Sequence, residues 1–513
     1  MSRFFARFFL LIFPAACAVS AIAQPQSADH LTDASSRTPA KAARVAPARQ
    51  QLFGAIPLST KSEDVRKSLE LAWNKYENAM YDTSAADARH ATQKDPNSAL
   101  AYAMISFAAR RTTPDTAALA KAKSLLNRTS GDEQLLVRWM TSVQDRDLLP
   151  AIASMNDLLK RYPRDKHILY VTGEWLFIQQ DDEHAQKLLE SALQIDPDFP
   201  AALNRLGYLY IRSASPNPEK ALASLHRYAE VEKSSSNPED SLGEVSRIAG
   251  DDSASLFHYA ASLKIDPTFL ASQEGLGDTR TLMGDFEGAR KEYDRALQMA
   301  QSPVDQLYIK EQHALVSFWE GKTEQGFREL AATAQEADQK KEPNSQFNIA
   351  LAKAMLASDY QSELKQLKEL SVFLDHPLAG MLESDRSVNR ATVLRERVRV
   401  ATLNGQTEEA AHALSELEAL ATASRDLFAQ ACYDSARGYI QMAQKDFQNA
   451  TDALAADPHS PLALQQLAVA QLKLGNKDAT EATLTRLKYQ RAPTVEWFLV
   501  THPTAAAVQS AAN

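Results

Sequence analysis

The sequence predicts an all-α chain built from tandem pairs of amphipathic helices. Small residues, a large apolar residue and a closing proline recur in the same order, as Gly173, Ala185, Leu189, Ala192, Pro197 and again as Gly277, Ala289, Tyr293, Ala296, Pro303. Pro163 and Pro197 lie 34 residues apart. Composition favours helix, because only 16 of the 513 residues are glycine and good helix formers are abundant. We therefore expect an elongated α-solenoid of about 11–12 pairs, in which each pair buries its apolar stripe against its neighbours.

The first 59 residues are expected to precede the folded array. Residues 1–23 combine Arg3 and Arg7 with a short apolar run and an Ala-x-Ala site, which is typical of a secretory signal peptide. The run is too short to span a bilayer as a helix. Residues 24–59 are rich in Ala, Pro and Ser and predict a disordered linker. We expect export to the periplasm, and Cys17 leaves an outer-membrane lipoprotein open as the alternative.

Helix pairs are expected from residue 60 to residue 491. Thr60 and Glu63 have the spacing of a capping box, which marks the start of the first helix. Residues 60–303 carry the clearest copies and predict an N-terminal array. Residues 304–424 keep the alternation of helix and turn with degenerate signatures, and the pattern returns at 425–491.

Two pairs are expected to depart from the common length. The sixth pair, predicted to begin near Asp240, has a short first helix. Ala450 lies eight residues before Pro458, whereas Ala185 lies twelve residues before Pro197. The second helix of that late pair should therefore be about one turn shorter.

The C-terminal tail, residues 492–513, is too short to form a further domain. Its apolar residues are Val495, Trp497, Phe498 and Leu499. We expect this segment to cover the exposed apolar edge of the last pair, because terminal repeats of a solenoid need a cap.

The recurring small residues are predicted to lie where the two helices of a pair touch. A larger side chain at such a contact would push the helices apart. The closing prolines end one pair because proline cannot continue a helix but is tolerated in the first turn of the next. The predicted packing residues are Gly173, Ala185, Gly207, Ala221, Gly277, Ala289 and Ala296.

With these residues and this period the chain resembles the tetratricopeptide repeat family between residues 60 and 491. The resemblance implies a right-handed superhelix whose first helices line a concave groove for a peptide or a partner protein. It also implies which side chains face that groove in the fourth, fifth and seventh pairs. These candidates are His167, Tyr170, Glu174, Phe177, Asn204, Tyr208, Ile211, Glu274 and Asp278, with Ala201, Ala271 and Thr281 beside them.

No catalytic or metal-binding pattern is found in the sequence. The 11 histidines are scattered and form no His-x-x-x-His unit. Gly321-Lys322-Thr323 looks like the end of a phosphate-binding loop, but Val316 stands where that loop needs glycine, so a turn within a pair is expected. Cys432 lies in an apolar stretch and is expected in the core. The sequence therefore predicts no catalytic residues, no metal and no cofactor.

These observations favour a non-enzymatic scaffold that binds a protein or peptide of the cell envelope. The formal net charge of −9 disfavours nucleic acid as a partner. Two alternatives stay open. Tyr170, Phe177 and Tyr208 would suit a solenoid that binds peptidoglycan or another carbohydrate, or that is associated with an enzyme, and a purely structural spacer would need no groove ligand.

Overall fold

The computed structural model describes residues 56–109, 114–424 and 426–502. Within these ranges the chain forms 25 α-helices and one short 3₁₀ helix, Leu126–Arg128, and no strand. The all-α prediction is confirmed. The predicted signal peptide with Cys17, the linker up to residue 55 and the end of the tail from residue 503 lie outside the described residues. No helix in the described ranges is long and apolar enough to cross a bilayer.

The helices are numbered in chain order. The first half comprises α1 Glu63–Glu77, α2 Tyr81–Lys94, α3 Ala99–Ala109, α4 Thr116–Leu125, α5 Gly131–Gln144, α6 Leu148–Arg161, α7 Lys166–Ile178, α8 Asp182–Ile195, α9 Pro200–Arg212, α10 Pro218–Val231, α11 Asn237–Ala249, α12 Asp252–Ile265, α13 Leu270–Met283 and α14 Phe286–Met299. The second half comprises α15 Pro303–Trp319, α16 Thr323–Lys340, α17 Pro343–Met355, α18 Tyr360–Phe373, α19 Glu383–Leu403, α20 Thr407–Ser424, α21 Leu427–Ala443, α22 Phe447–Ala455, α23 Pro461–Lys473, α24 Lys477–Lys488 and α25 Val495–Thr501.

Consecutive helices pack as antiparallel pairs, α1 with α2 through α23 with α24. The described chain thus contains twelve pairs followed by the single helix α25. Gly321 and Lys322 lie in the turn between α15 and α16, as expected, and Thr323 begins α16. Helix α22 has nine residues where α8 has 14, which confirms the predicted shortening. The fold is a tetratricopeptide-like α-solenoid.

Two local expectations were wrong. The N-cap of α1 is Ser62, whose side chain accepts a hydrogen bond from the Val65 N–H, and not Thr60. The helix begins directly at Glu63, so the hydroxyl three residues before Val65 is the one in reach. The first helix of the sixth pair, α11, is not shortened: it starts at Asn237 because Pro238 is accommodated in its first turn.

The pairs form an inner and an outer layer. Eleven of the 13 residues of α9 are buried, including charged ones, whereas α8 buries only Ala185, Leu189 and Ala192 among its 14 residues. The same contrast holds between α15 and α16 and between α19 and α20. First helices are therefore covered on several sides and form the inner layer, and second helices face solvent with one side.

Most of the described turns inside the pairs contain a residue in the left-handed conformation. Gly250 and Gly284 have φ of +88° and +81°, which glycine adopts without steric cost. Arg146 and Gln180 take the same conformation with φ of +61° and +66°. In the turn after Gln180, Asp181 caps α8 by accepting a hydrogen bond from the His184 N–H. Repetition of this geometry places successive turns along one edge of the array.

The array bends back until its late pairs touch this edge. Arg146, in the turn of the third pair, forms an ion pair with Asp426, which caps α21 of the eleventh pair. In the fourth pair, Asp182 Oδ2 lies 3.4 Å from Nε2 of His459, which precedes α23 of the twelfth pair. The offset is eight pairs in both cases.

A third contact joins the segment after the twelfth pair to the sixth pair. Both terminal nitrogens of Arg491 bind the carboxylate of Asp252, at 2.7 and 2.9 Å, and Arg491 Nη1 also donates to the Arg247 carbonyl at 2.7 Å. Asp426, His459 and Arg491 are spaced by 33 and 32 residues, close to one repeat. The elongated rod expected from the sequence is therefore closed into a superhelical turn.

Candidate functional site

The predicted packing residues lie at contacts between helices. A Cβ built on Gly173 would lie 2.9 Å from Leu189 Cγ, one on Gly207 would lie 2.5 Å from Leu225 Cγ, and one on Gly277 would lie 2.6 Å from Tyr293 Cε1. The four alanines of the set, Ala185, Ala221, Ala289 and Ala296, are completely buried.

All nine predicted groove residues lie on inner helices. Four are on α7, three on α9 and two on α13. All nine are buried, as are the neighbouring Ala201, Ala271 and Thr281. A peptide could reach them only after neighbouring groups move, and their role in binding stays a prediction.

His167 and Tyr170 connect the fourth pair to the first. The His167 Nδ1 lies 2.9 Å from both carboxylate oxygens of Glu77, at the end of α1, and the Tyr170 hydroxyl donates to the Glu77 carbonyl at 3.4 Å. Burial by itself would lower the pKa of His167, but the adjacent Glu77 carboxylate outweighs it and raises the pKa. The two pairs therefore meet across the interior of the superhelix.

Glu174, Phe177 and Ile211 lie where the fourth and fifth pairs meet. Arg205 Nη2 donates to Glu174 Oε1 at 3.0 Å. The Phe177 ring has the guanidinium carbons of Arg205 and Arg212 at 5.1 and 5.0 Å from its centroid, within cation–π range. Ile211 is fully buried in the same region.

Asn204 and Tyr208 bind the sixth pair. Ser241 donates to Asn204 Oδ1 at 3.2 Å, and the Tyr208 hydroxyl donates to Glu244 Oε2 at 3.0 Å. Burial raises the pKa of Glu244 to about 7, although Arg247 acts in the opposite direction. These contacts join successive inner helices through polar side chains.

The seventh pair extends this series of polar contacts between inner helices. Tyr293 donates to Asp278 Oδ1 at 2.7 Å, and Arg247 Nη2 lies 4.0 Å from Asp278 Oδ2. Burial raises the pKa of Asp278, with Arg247 and Tyr293 lowering it less. Glu274 is buried one turn before Asp278.

Glu244 was missed by the sequence reasoning, although a signal for it exists. Glu174, Tyr208 and Asp278 each directly follow a packing glycine, and Glu244 follows Gly243 in the same way. A Cβ on Gly243 would lie 2.8 Å from Tyr259 Cδ1, so this glycine has the same packing role. The expectation of a short sixth helix hid the match.

The sequence reasoning also missed a second cluster of charged side chains on the inner layer, which is centred on Arg395 of α19. Its guanidinium contacts Glu396 at 3.0 Å, Asp457 at 3.1 Å and Glu496 at 2.7 Å. Burial alone would lower the pKa of Arg395, but the three carboxylates raise it well above its ordinary value. No sequence signal pointed here, because residues 304–424 carry degenerate repeats.

The Glu496 carboxylate belongs to α25, which is seated against three inner helices. Glu496 binds Arg395 of α19, the Phe498 ring lies 5.3 Å from the Trp319 ring of α15, and Gln465 of α23 donates to the Val500 carbonyl at 3.4 Å. On a helix, side chains two residues apart are rotated by about 200° around the axis, so they point in nearly opposite directions. Since Glu496 and Phe498 face different helices, α25 lies between α15 and α19 and does more than cover the last pair.

Apolar contacts hold the same helix. Val495 is buried in one core cluster with Leu307, Phe318 and Leu462, and Leu499 and Val500 pack against that cluster. Trp497 packs against a separate cluster formed by the last two pairs. The inner layer of the second half thus holds a short helix by one buried ionic contact and several apolar ones.

Cys432 is buried in an apolar cluster, as predicted, and burial raises the pKa of its thiol well above the ordinary value. Within residues 56–109, 114–424 and 426–502, no group of three or more His, Cys, Asp or Glu side chains is arranged to hold a metal ion.

Comparison with known proteins gives structural likeness only. A tetratricopeptide repeat protein from Parabacteroides merdae ATCC 43184 matches 54% of this chain and 94% of its own, with 14% identity and a TM-score of 0.34. MamA matches 34% of this chain and 93% of its own, with 16% identity and a TM-score of 0.28. PilW, described as a type IV pilus biogenesis factor, matches 38% and 88%, with 19% identity and a TM-score of 0.33. No family model matches the chain, and no curated protein sequence matches it significantly.

Proposed function

We propose that the protein is a non-enzymatic scaffold that binds another protein or peptide on its inner layer. The observation that carries the proposal is the docking of α25 between α15, α19 and α23. In this contact a helical segment is held by an arginine and by apolar side chains, which supports binding of a similar segment of another protein. Helix-in-groove binding is one of the common ways in which proteins recognise peptides.

Capture of a partner by inner and outer variants tests this function. Trp319 lies on the inner layer beside α25, whereas Phe257 on the outer helix α12 is 68% exposed. Trp319→Ala should reduce the amount of partner captured from envelope extracts, as quantified by mass spectrometry, and Phe257→Ala should capture as much as the parent. Equal capture by both variants, or turnover of a small substrate without any enriched protein, would contradict the proposal.

We also propose that the protein is exported to the periplasm, with cleavage before Gln24. Support comes from residues 1–23, where two arginines precede a short apolar run and an Ala-x-Ala site. Mass spectrometry of the N-terminus of protein isolated from cells tests the cleavage site. A chain that begins at Gln24 supports export with ordinary processing, and a lipid on Cys17 would establish the lipoprotein alternative.

Carbohydrate binding has less support from the contacts. The Phe177 ring is in cation–π contact with two arginines, and Tyr170 packs edge-on against Phe199 with 5.5 Å between ring centroids. Tyr208 is fully buried with its hydroxyl bound to Glu244. Sugar stacking needs an open ring face, and these three side chains present none in the structure.

A further inference from the structure

We propose that α25 is an internal ligand, which occupies the binding surface of the second half until a partner helix of similar chemistry displaces it. This inference rests on the proposed function and adds the class of partner. The partner is a short helical segment with a carboxylate, followed two residues later by an aromatic side chain, and with apolar residues on either side. The order Val495, Glu496, Trp497, Phe498, Leu499 in this chain is the example.

The first argument is that α25 depends on its docking contacts. It has seven residues, and isolated helices shorter than about 12–15 residues are marginal in water. Its N-cap, Thr494, accepts one hydrogen bond from the Trp497 N–H at 3.2 Å. The contacts with the inner layer must therefore supply most of what keeps this segment helical.

The second argument concerns the carboxylate. Arg395 is buried, and Ser460 donates to the second oxygen of Glu496 at 3.2 Å. Removal of Glu496 would leave part of a buried guanidinium without a counter-charge, which is costly. A competing segment must supply an acid at this position, so an apolar helix without a carboxylate is rejected.

The third argument concerns the aromatic position. The Phe498 ring contacts Trp319 edge-on at 5.3 Å and Phe318 at 6.5 Å between centroids, and it stacks on His502 at 4.7 Å. This site takes a planar ring between two aromatic neighbours. Together with Arg395, it fixes the order and spacing of acid and aromatic in the partner.

Because α25 belongs to the same chain, it competes at a high effective concentration. A free peptide of identical sequence should bind the parent protein weakly, since only the fraction of molecules with α25 displaced can accept it. Weakening the internal contact should therefore increase the affinity for the free peptide. If α25 were only a structural cap, weakening its contacts would not increase the affinity for the free peptide.

A peptide titration on the full chain tests the proposal. The probe is a fluorescent peptide of residues 492–502, followed by anisotropy. Glu496→Lys in the protein repels Arg395 from α25, and this variant should bind the probe about tenfold or more tightly than the parent. The matched control Glu287→Lys changes an 82% exposed side chain on the outer helix α14 and should bind like the parent. A probe peptide carrying the Glu496→Lys change should not bind.

The outcomes separate this inference from the proposed function. Equal binding of the probe by Glu496→Lys, Glu287→Lys and the parent, or no binding to any of them, overturns the internal-ligand proposal. If Glu496→Lys fails to fold by circular dichroism, Glu496→Gln provides the same comparison with a neutral side chain. Neither result depends on a natural partner, so loss of capture in Trp319→Ala would still support the proposed function if the titration fails.

Discussion

The ring of Tyr293 on α14 lies directly against the backbone of Gly277 on α13. A Cβ at position 277 would be 2.6 Å from Tyr293 Cε1, and the Tyr293 hydroxyl reaches past the glycine to donate to Asp278. The outer tyrosine thus penetrates the inner layer because glycine leaves room for it. Gly243 accommodates Tyr259 in the same way in the preceding pair.

Gly277→Ala should therefore destabilise the fold by about 1–3 kcal/mol, because the buried and hydrogen-bonded ring cannot move away cheaply. Gly131→Ala is the matched control: nothing lies within 4 Å of its built Cβ, so this substitution in α5 should be neutral or slightly stabilising. Urea unfolding of both variants measures the difference. Equal unfolding midpoints would show that the assigned helix contact at Gly277 is wrong.

Arg395→Met should cost about 3–5 kcal/mol, because it leaves two buried carboxylates and the partly buried Glu496 without their shared cation. Arg295→Met provides the comparison. Its side chain is 63% exposed and pairs with Glu292 on the same helix, so a loss below about 1 kcal/mol is expected. Similar losses for the two variants in urea unfolding would argue against a central role of Arg395.

The carboxyl of Glu363 should make stability depend on pH. Burial raises its pKa to about 7, against the lowering effect of Arg399, whose Nη2 lies 2.6 Å away. The folded protein then binds this proton more tightly than the unfolded chain, so the contribution of Glu363 to the free energy of unfolding is present at low pH and is lost as the pH rises through about 7.

The difference in unfolding free energy between the parent and Glu363→Gln isolates this effect. We expect the parent to lose stability relative to the variant as the pH rises from about 5 to about 8, because the amide cannot ionise. Urea unfolding across this range gives the measurement. A difference that is constant with pH, or that increases towards alkaline pH, would contradict the raised pKa.

The contact between Arg491 and Asp252 should hold the superhelix closed. Among the described residues, Tyr489 is the only residue of the late pairs that packs against the large apolar cluster of the first half, so the contact between the late pairs and the first half is mainly polar. Arg491→Asp and Asp252→Arg should each increase the radius of gyration and the maximum dimension in small-angle X-ray scattering.

The double variant Asp252→Arg/Arg491→Asp restores opposite charges and should return both dimensions towards those of the parent. Lys187→Glu, which alters an exposed pair with Glu183 on α8, serves as the control and should leave them unchanged. If the single reversals scatter like the parent, or the double variant stays expanded, this contact does not hold the late pairs against the sixth pair.

Cys432 should be inert in the folded protein. Its side chain is fully buried, and a thiol with a raised pKa forms little of the reactive thiolate. In protein that begins at Gln24 it is the sole cysteine, so the reaction with a thiol reagent reports on it alone. We expect no labelling in native buffer and complete labelling in denaturant, and rapid native labelling would show that the site is open.

The sequence predicted the structural features that depend on neighbouring repeats. It did not predict the contacts between distant repeats. The glycine and proline positions reveal the helix pairs because they act within about one period, as Gly173 does against Leu189. The contact between Arg146 and Asp426 joins residues 280 positions apart and depends on the pitch of the whole superhelix. No periodicity encodes such a pitch, so the closure and the burial of the inner residues could not be foreseen.

The same distinction applies to the candidate site. The residues next to packing glycines were found in three pairs, because their register is local, and Glu244 could have been found by the same rule. Arg395 could not, since its partners Asp457 and Glu496 come from segments 62 and 101 residues away. The apolar residues of the tail suggest that it packs against the rest of the chain. They do not indicate which helices it contacts, because that depends on the tertiary structure.

Site-specific photo-crosslinking in cells can locate a partner on the inner layer of the second half. A photoreactive amino acid replaces Gln465, which contacts α25 from the inside, or Leu484, which is 51% exposed on the outer helix α24. If the partner binds there, we expect a crosslinked partner protein from position 465 and none from position 484. The same partner crosslinked from position 484 alone would contradict it.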